Sequence, residues 1–283
     1  MRIKRSGVAA CLLLPGTAFG QSHSPHTMPA IAGQYSQTGQ DAREQILHLP
    51  LSDGHHLRAL LATPPQPRGL IIMFPGGTGD IGLQQDGHIV HAENFVVRTR
   101  DLWNRHGYAV LIPDTPEDTN LRGLRSSPFY THLADSLIAL AHQQTTGPAF
   151  LLGTSQGSIA AVNGAAHARP GTIAGVILTE SVSVMGGSGE TVFSAGPRMI
   201  RVPVLVVANR DDLCDVAPPD AAPRIAAAMT ASPDARVLTV TGGTTRSRKN
   251  CGSLTPHGYF GIEDQVVAKI SAWLDAPSTM CQS

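Results

Sequence analysis

Net charge is the first thing this chain lacks: 21 Lys and Arg balance 21 Asp and Glu, and only 15% of its 283 residues are charged. A sum of zero leaves no electrostatic footprint for nucleic acid and none for an anionic membrane surface, so neutral small molecules are the expected partners. A membrane-spanning run is missing too, because the N-terminal apolar stretch Val8 to Leu14 is too short to cross a bilayer. There is no internal repeat, which excludes solenoid and propeller arrays. Cysteines number four, and Cys11 falls within the leading apolar segment, leaving Cys214, Cys251 and Cys281. What is plentiful is apolar material, 42% of the chain, ample for the core of one large α/β domain.

Met1 to Arg5 is basic, Val8 to Leu14 apolar, and Ala18-Phe19-Gly20 forms a small-x-small site before Gln21. That order reads as a secretory signal peptide over residues 1–20, cleaved after Gly20, with a buried first strand or helix as the competing reading. A periplasmic or secreted mature protein is expected. Residues 21–44 read as a flexible leader, because from Gln21 to about Gln40 the chain is rich in Ser, Pro, Gly, Thr and Gln with few large apolar side chains. Residues 45–276 form the expected domain, and 277–283 a tail. Oligomeric state is not legible.

Within the domain, apolar runs alternate with helical stretches. Gln45–Leu51 and His56–Ala62 flank Asp53-Gly54 as a hairpin. Strands are expected at 69–74, 108–113, 148–152, 173–179, 202–208 and 235–240, and helices at 93–105, 131–144, 158–166, 220–230 and 263–274. Regular alternation of this kind implies the α/β class, with a mostly parallel central sheet covered by helices on both faces. The hairpin adds antiparallel strands at the N-terminal side.

The chemistry centres on Gly153-Thr154-Ser155-Gln156-Gly157, a G-x-S-x-G between a buried strand and a run of small residues. A serine presented on so sharp a turn needs glycine on either side, because a side chain there would meet neighbouring backbone. A plain structural turn would use the same residues. Acyl transfer by serine also needs a base, and an acid to orient that base, following in the order Ser, Asp or Glu, His. The strand ending at Ala208 runs into Asn209-Arg210-Asp211-Asp212-Leu213-Cys214-Asp215, a polar loop at a carboxyl end. Asp212 lies far enough past the strand to turn back towards a histidine. Asp211 reads as a cap or solvent-facing residue, and Asp215 as a loop residue or helix cap. A solvated acidic turn is the bland alternative for all three. His257, in Thr255-Pro256-His257-Gly258, is the only one of twelve histidines in a loop downstream of both Ser155 and Asp212. His88 and His91, with Asp86 and Glu93, lack a compact metal-ligand spacing and read as a polar loop. An oxyanion needs preorganised N–H donors, each worth about 3 kcal/mol. Gln156, and Gly77 in Pro75-Gly76-Gly77, are the candidates.

Taken together these residues resemble the α/β-hydrolase superfamily over roughly residues 45 to 275. The elbow matches, Asp212 and His257 occupy the acid and base positions, and Pro75-Gly76-Gly77 resembles the oxyanion turn with proline in place of the usual histidine. The resemblance implies a serine hydrolase of carboxylic esters, with no metal and no organic cofactor. The interval Glu180 to Arg201 is too short for a helical lid, so little or no cap is expected and the cleft should be open. Met185 and Phe193 are candidates for an acyl pocket, or equally for packing anchors of their own loop.

Lidless secreted polyesterases and cutinases are similar, and some tie the acid loop to the histidine loop with a disulfide. Thr154 and Gln156 depart from the aromatic and methionine neighbours usual there. Cys214 lies two residues after Asp212 and Cys251 six before His257, so meeting of acid and base would carry these two cysteines together. Two reduced cysteines, or a pairing through Cys281, are the alternatives. A secreted peptidase or acyltransferase would use the same triad. A binding protein on this scaffold would be expected to have lost one of its members.

Overall fold

The computed structural model describes residues 33–38, 42–51, 54 and 56–276. The expected signal peptide, most of the leader before Gly33, Cys281 and the tail lie outside them. Nine strands form one sheet: β1 Gly33–Thr38, β2 Ala42–Pro50, β3 His56–Thr63, β4 Gly69–Phe74, β5 Tyr108–Pro113, β6 Ala149–Thr154, β7 Gly175–Thr179, β8 Val204–Asn209 and β9 Ala235–Val240. Their spatial order is β1-β2-β3-β5-β4-β6-β7-β8-β9. The first three strands run antiparallel to their neighbours, and all pairings from β5 through β9 are parallel.

β4 to β8 are buried along their whole length, which is why they read as continuous apolar runs rather than alternating ones. The pleat divides each between two cores. Leu70, Ile72 and Phe74 face α3 Pro128–Gln144, α4 Gly157–His167 and α5 Ala222–Ala227, through Leu133, Leu137, Ile159 and Ile225. Ile71 and Met73 face the opposite layer of α1 Phe95–Arg98, α2 Arg100–Arg105 and α6 Glu263–Asp275, through Phe95, Trp103, Val266 and Ile270.

Three expectations need correction. The leader, residues 21–44, is not wholly unstructured: Gly33–Thr38 pairs with β2 from Gly33↔Ile46 to Thr38↔Ala42. An edge strand gains backbone hydrogen bonds without needing apolar side chains, so composition misses it. The helix expected over 93–105 is two, divided at Thr99, whose hydroxyl donates back to the Phe95 carbonyl at 2.7 Å. The helix expected over 220–230 is shorter: a 3-10 turn at Pro219–Ala221 leads into α5, which ends at Ala227. Pro219 and Pro223 supply no N–H to a ladder there.

From β4 the chain moves to one side, through β5, and then crosses back to the other side at β6. This reversal opens a crevice at the carboxyl ends of β4 and β6, where open α/β sheets collect function.

Candidate active site

Ser155 follows β6 and precedes α4 by two residues. Its φ of +52° lies in the left-handed region, a costly conformation for a residue with a Cβ. The surroundings enforce it. The Ser155 N–H donates to the Thr179 carbonyl at 2.9 Å, and the Ser155 carbonyl accepts from the Ser158 N–H at 2.9 Å and the Ser158 hydroxyl at 2.6 Å. The flanking glycines are sterically required. A Cβ on Gly153 would stand 2.1 Å from the Gly157 carbonyl oxygen, and one on Gly157 2.1 Å from that of Phe74.

The structure brings the three residues singled out from the sequence into one line. His257 Nε2 lies 2.9 Å from Ser155 Oγ, and His257 Nδ1 lies 2.7 Å from Asp212 Oδ2. Asp212 and His257 are buried, at 5% and 3% exposure, so their contact is shielded from water. The second Asp212 oxygen accepts from the Cys214 N–H at 2.8 Å, so each carboxylate oxygen holds one of these bonds and keeps a further lone pair. Asp211 turns elsewhere, accepting the Gly242 N–H at 2.6 Å. Asp215 is exposed beside Cys251.

His257 sits in a 3-10 turn, Pro256–Gly258, whose entry is capped by Thr255 Oγ1 accepting the His257 N–H at 3.1 Å. Asn209, fully buried at the end of β8, donates from Nδ2 to the Gly242 and Pro256 carbonyls at 2.9 and 3.1 Å. It thereby ties the acid strand to the histidine turn. Arg98 braces the far side, donating to the Gly258 carbonyl and pairing with Glu263 at 2.9 Å.

The Gln156 and Gly77 backbone N–H groups have no protein acceptor among the described residues. A Cβ on Gly76 would touch the Ser155 Cβ at 3.2 Å, so the turn after β4 lies directly against the serine. Gly77 adopts φ +61°. Buried Arg125 donates from Nη2 to the Pro75 carbonyl at 3.4 Å and holds this turn from behind. Its own segment is tied down by the Glu190 carboxylate, which accepts the Gly123 and Ser126 N–H groups, each at 2.9 Å.

Between β7 and β8 the chain makes two 3-10 turns, Val192–Ala195 and Pro197–Met199, rather than a lid domain. Met185 is 62% exposed on this stretch. Phe193 is half-buried against the core, with the Arg224 guanidinium 4.8 Å from its ring centre, the setting of a packing anchor. Cys214 and Cys251 are joined by a disulfide.

Sequence reasoning passed over Glu180. It is 1% exposed at the end of β7, with φ +44°, and its carboxyl oxygen lies within 4.8 Å of Asp212 and His257 ligand atoms. Burial first, and then the Asp212 charge, push its carboxyl well above the usual carboxylate range. Burial, and then the Glu180 charge, likewise raise the Tyr259 phenol. Glu180, Asp212 and His257 form one of two groups of metal-ligand type among the described residues. Both His257 ring nitrogens are already engaged, at Asp212 and Ser155. The other group, Cys214, Asp215 and Cys251, offers disulfide sulfurs rather than thiolates.

No protein family and no curated protein matches the sequence. Solved structures do match. Dienelactone hydrolase from Anabaena variabilis aligns with a TM-score of 0.58 at 17% identity, over 83% of this chain and 98% of that one. An S-formylglutathione hydrolase from Agrobacterium tumefaciens gives 0.59 at 14% identity, over 85% and 98%. An esterase from Pyrococcus furiosus gives 0.61 at 10% identity, over 87% and 97%. The protein thus has the α/β-hydrolase fold.

Proposed function

We propose that this protein is a serine hydrolase that cleaves neutral carboxylic esters through an acyl-enzyme. In this reading Ser155 attacks the ester carbonyl while His257 takes its proton at Nε2. Asp212 fixes the Nδ1–H tautomer and stabilises the imidazolium. The Gln156 and Gly77 N–H groups receive the oxyanion. His257 then returns the proton to the leaving alcohol, and water repeats the sequence to release the acid. The observation that carries the reading is the unbroken contact from Ser155 Oγ through His257 to Asp212, at 2.9 and 2.7 Å.

Ester hydrolases among the structural neighbours support the reaction class. The short Glu180 to Arg201 interval supports small or extended esters reaching an open cleft. The disulfide supports residence in an oxidising compartment, outside the cell or in a periplasm. No helix among the described residues is long and apolar enough to cross a membrane.

The test combines fluorophosphonate labelling with a panel of esters of graded acyl length. Wild-type protein should label at Ser155 and turn over at least one ester. Ser155→Ala should remain folded, fail to label, and lose at least about three orders of magnitude in turnover. Labelling elsewhere, or activity kept by the alanine variant, would remove the assignment. An amine or alcohol acceptor that outcompetes water would make the enzyme an acyltransferase.

A further inference from the structure

Behind Asp212 lies a second buried acid that the proposed mechanism does not use. Glu180 Oε1 accepts the Asn209 N–H at 2.8 Å. Its other oxygen, Oε2, is buried and receives no hydrogen bond. The ionisable groups facing Glu180 are Asp212 from the loop after β8, and His257 and Tyr259 from the segment before α6. Of these only Tyr259 carries an O–H that can reach the Glu180 carboxyl, and that hydroxyl is shared with a backbone carbonyl. Asp212 and His257 are committed to each other, and the Tyr259 hydroxyl donates to the Val207 carbonyl at 3.2 Å. An ionised Glu180 would therefore be a buried charge held only by the Asn209 N–H and a shared Tyr259 hydroxyl, beside the Asp212 carboxylate. A protonated Glu180 removes both penalties, because its O–H can donate to that carboxylate. Asp212 is the strongest acceptor within reach, since hydrogen bonds to charged oxygen exceed those to a phenol. The backbone supports the same placement. At φ +44° Glu180 holds a conformation costly for a residue with a Cβ, and its N–H is fixed on the Val207 carbonyl at 3.2 Å.

We propose that Glu180 is a positioning residue that stays protonated and donates a hydrogen bond to Asp212, holding that carboxylate against His257. The proposal rests on the serine-hydrolase reading of the site. No bond forms or breaks at Glu180, and its proton stays on the carboxyl throughout the reaction.

Glu180→Gln is the discriminating substitution. The amide is neutral and near-isosteric, keeps an acceptor for the Asn209 N–H and supplies an N–H for Asp212. The His257 imidazole, followed by NMR, should titrate at the same pH in wild type and Glu180→Gln, and kcat/KM should agree within about threefold. If Glu180 were ionised, the substitution would delete a negative charge beside the imidazole and shift its titration down by about one pH unit or more. That shift would overturn the proposal. Glu180→Leu removes the donor, and kcat should fall on the order of tenfold with KM little changed. A leucine variant with wild-type kcat would overturn the positioning role. Should that variant not fold, the glutamine titration decides alone. The titration needs no turnover. Loss of fluorophosphonate labelling in wild type would thus overturn the hydrolase reading, while a shifted imidazole titration with labelling intact would overturn only the Glu180 assignment.

Discussion

A Cβ placed on Gly157 would stand 2.1 Å from the carbonyl oxygen of Phe74, so α4 starts hard against the last residue of β4. This contact sets how closely the serine approaches the turn that carries Gly76 and Gly77. Gly157→Ala cannot be accommodated by a side-chain adjustment, because backbone lies on the other side. The expected cost is about 3 kcal/mol or more in chemical denaturation, or failure to accumulate as folded protein. Gly171→Ala is the contrast. Nothing lies within 4 Å of its added Cβ, but φ is +79°, so about 1 kcal/mol is expected from backbone strain alone. Equal costs at the two positions would show that the close approach to Phe74 is not enforced.

What was legible in the sequence was local. The elbow pentapeptide, the apolar runs of β4 to β8 and the polar loops after β8 and β9 each announce themselves within a dozen residues. Ser155, Asp212 and His257 could be singled out because chain order limits the choices. The supporting side chains could not. Glu180 meets Asn209 across 29 residues, Glu190 meets Gly123 across 67, and Arg98 meets Glu263 across 165. Each is an isolated charged residue in sequence, indistinguishable from a solvated one until the fold buries it. β1 escaped for the opposite reason, since its pairing needs only backbone.

Asp211 and Asp212 are adjacent yet point to different tasks, and substitution should separate them. Asp212→Asn disturbs the partner of His257 Nδ1 and favours the wrong imidazole tautomer, so turnover should fall by on the order of 10³ to 10⁴ with folding kept. Asp211→Asn weakens the bond to the Gly242 N–H, which costs about 1 kcal/mol of stability and leaves kcat within about threefold. Steady-state kinetics on both variants provide the check. A crippled Asp211→Asn beside an active Asp212→Asn would reassign the acid.

Glu180 should leave a signature in stability against pH. Its folded-state carboxyl is held well above the ordinary 4.5 by burial and then by Asp212. The folded chain therefore keeps a proton that the unfolded chain releases once pH passes about 4.5. That contribution to stability is fully present below this pH and is lost as pH rises towards the folded-state value, at up to about 1.4 kcal/mol per pH unit. Gln at this position titrates in neither state. The Tm of Glu180→Gln minus that of wild type should therefore climb between about pH 4 and pH 7. A difference that stays flat across the range would mean that Glu180 ionises as freely in the folded chain as in the unfolded one.

The bond between Cys214 and Cys251 spans 37 residues and joins the segment after Asp212 to the segment before His257. In the chain-entropy picture, closing a loop of that length stabilises the fold by about 4 kcal/mol. Cys251 is exposed, whereas Cys214 is 2% exposed, so Cys251→Ser opens the loop with less disturbance of the core. Its melting temperature should drop by roughly 8 to 16 °C if the full amount is realised in a domain of this size. Turnover by the folded fraction should fall much less. Asn209 independently ties β8 to the Gly242 and Pro256 carbonyls, and Thr255 anchors the histidine turn through its single hydroxyl proton, shared between the Asn250 and Gly252 carbonyls at 2.9 and 2.8 Å from Oγ1. The prediction is thus a large loss of Tm with kcat at 25 °C kept within about threefold, read from calorimetry and initial rates. A collapse of kcat in protein that remains folded would mean that the disulfide, rather than the Asn209 and Thr255 hydrogen bonds, holds acid and base in register. Non-reducing peptide mapping of wild type checks the premise: a cross-linked Cys214 and Cys251 fragment is expected, and Cys281 joined to either residue would remove it.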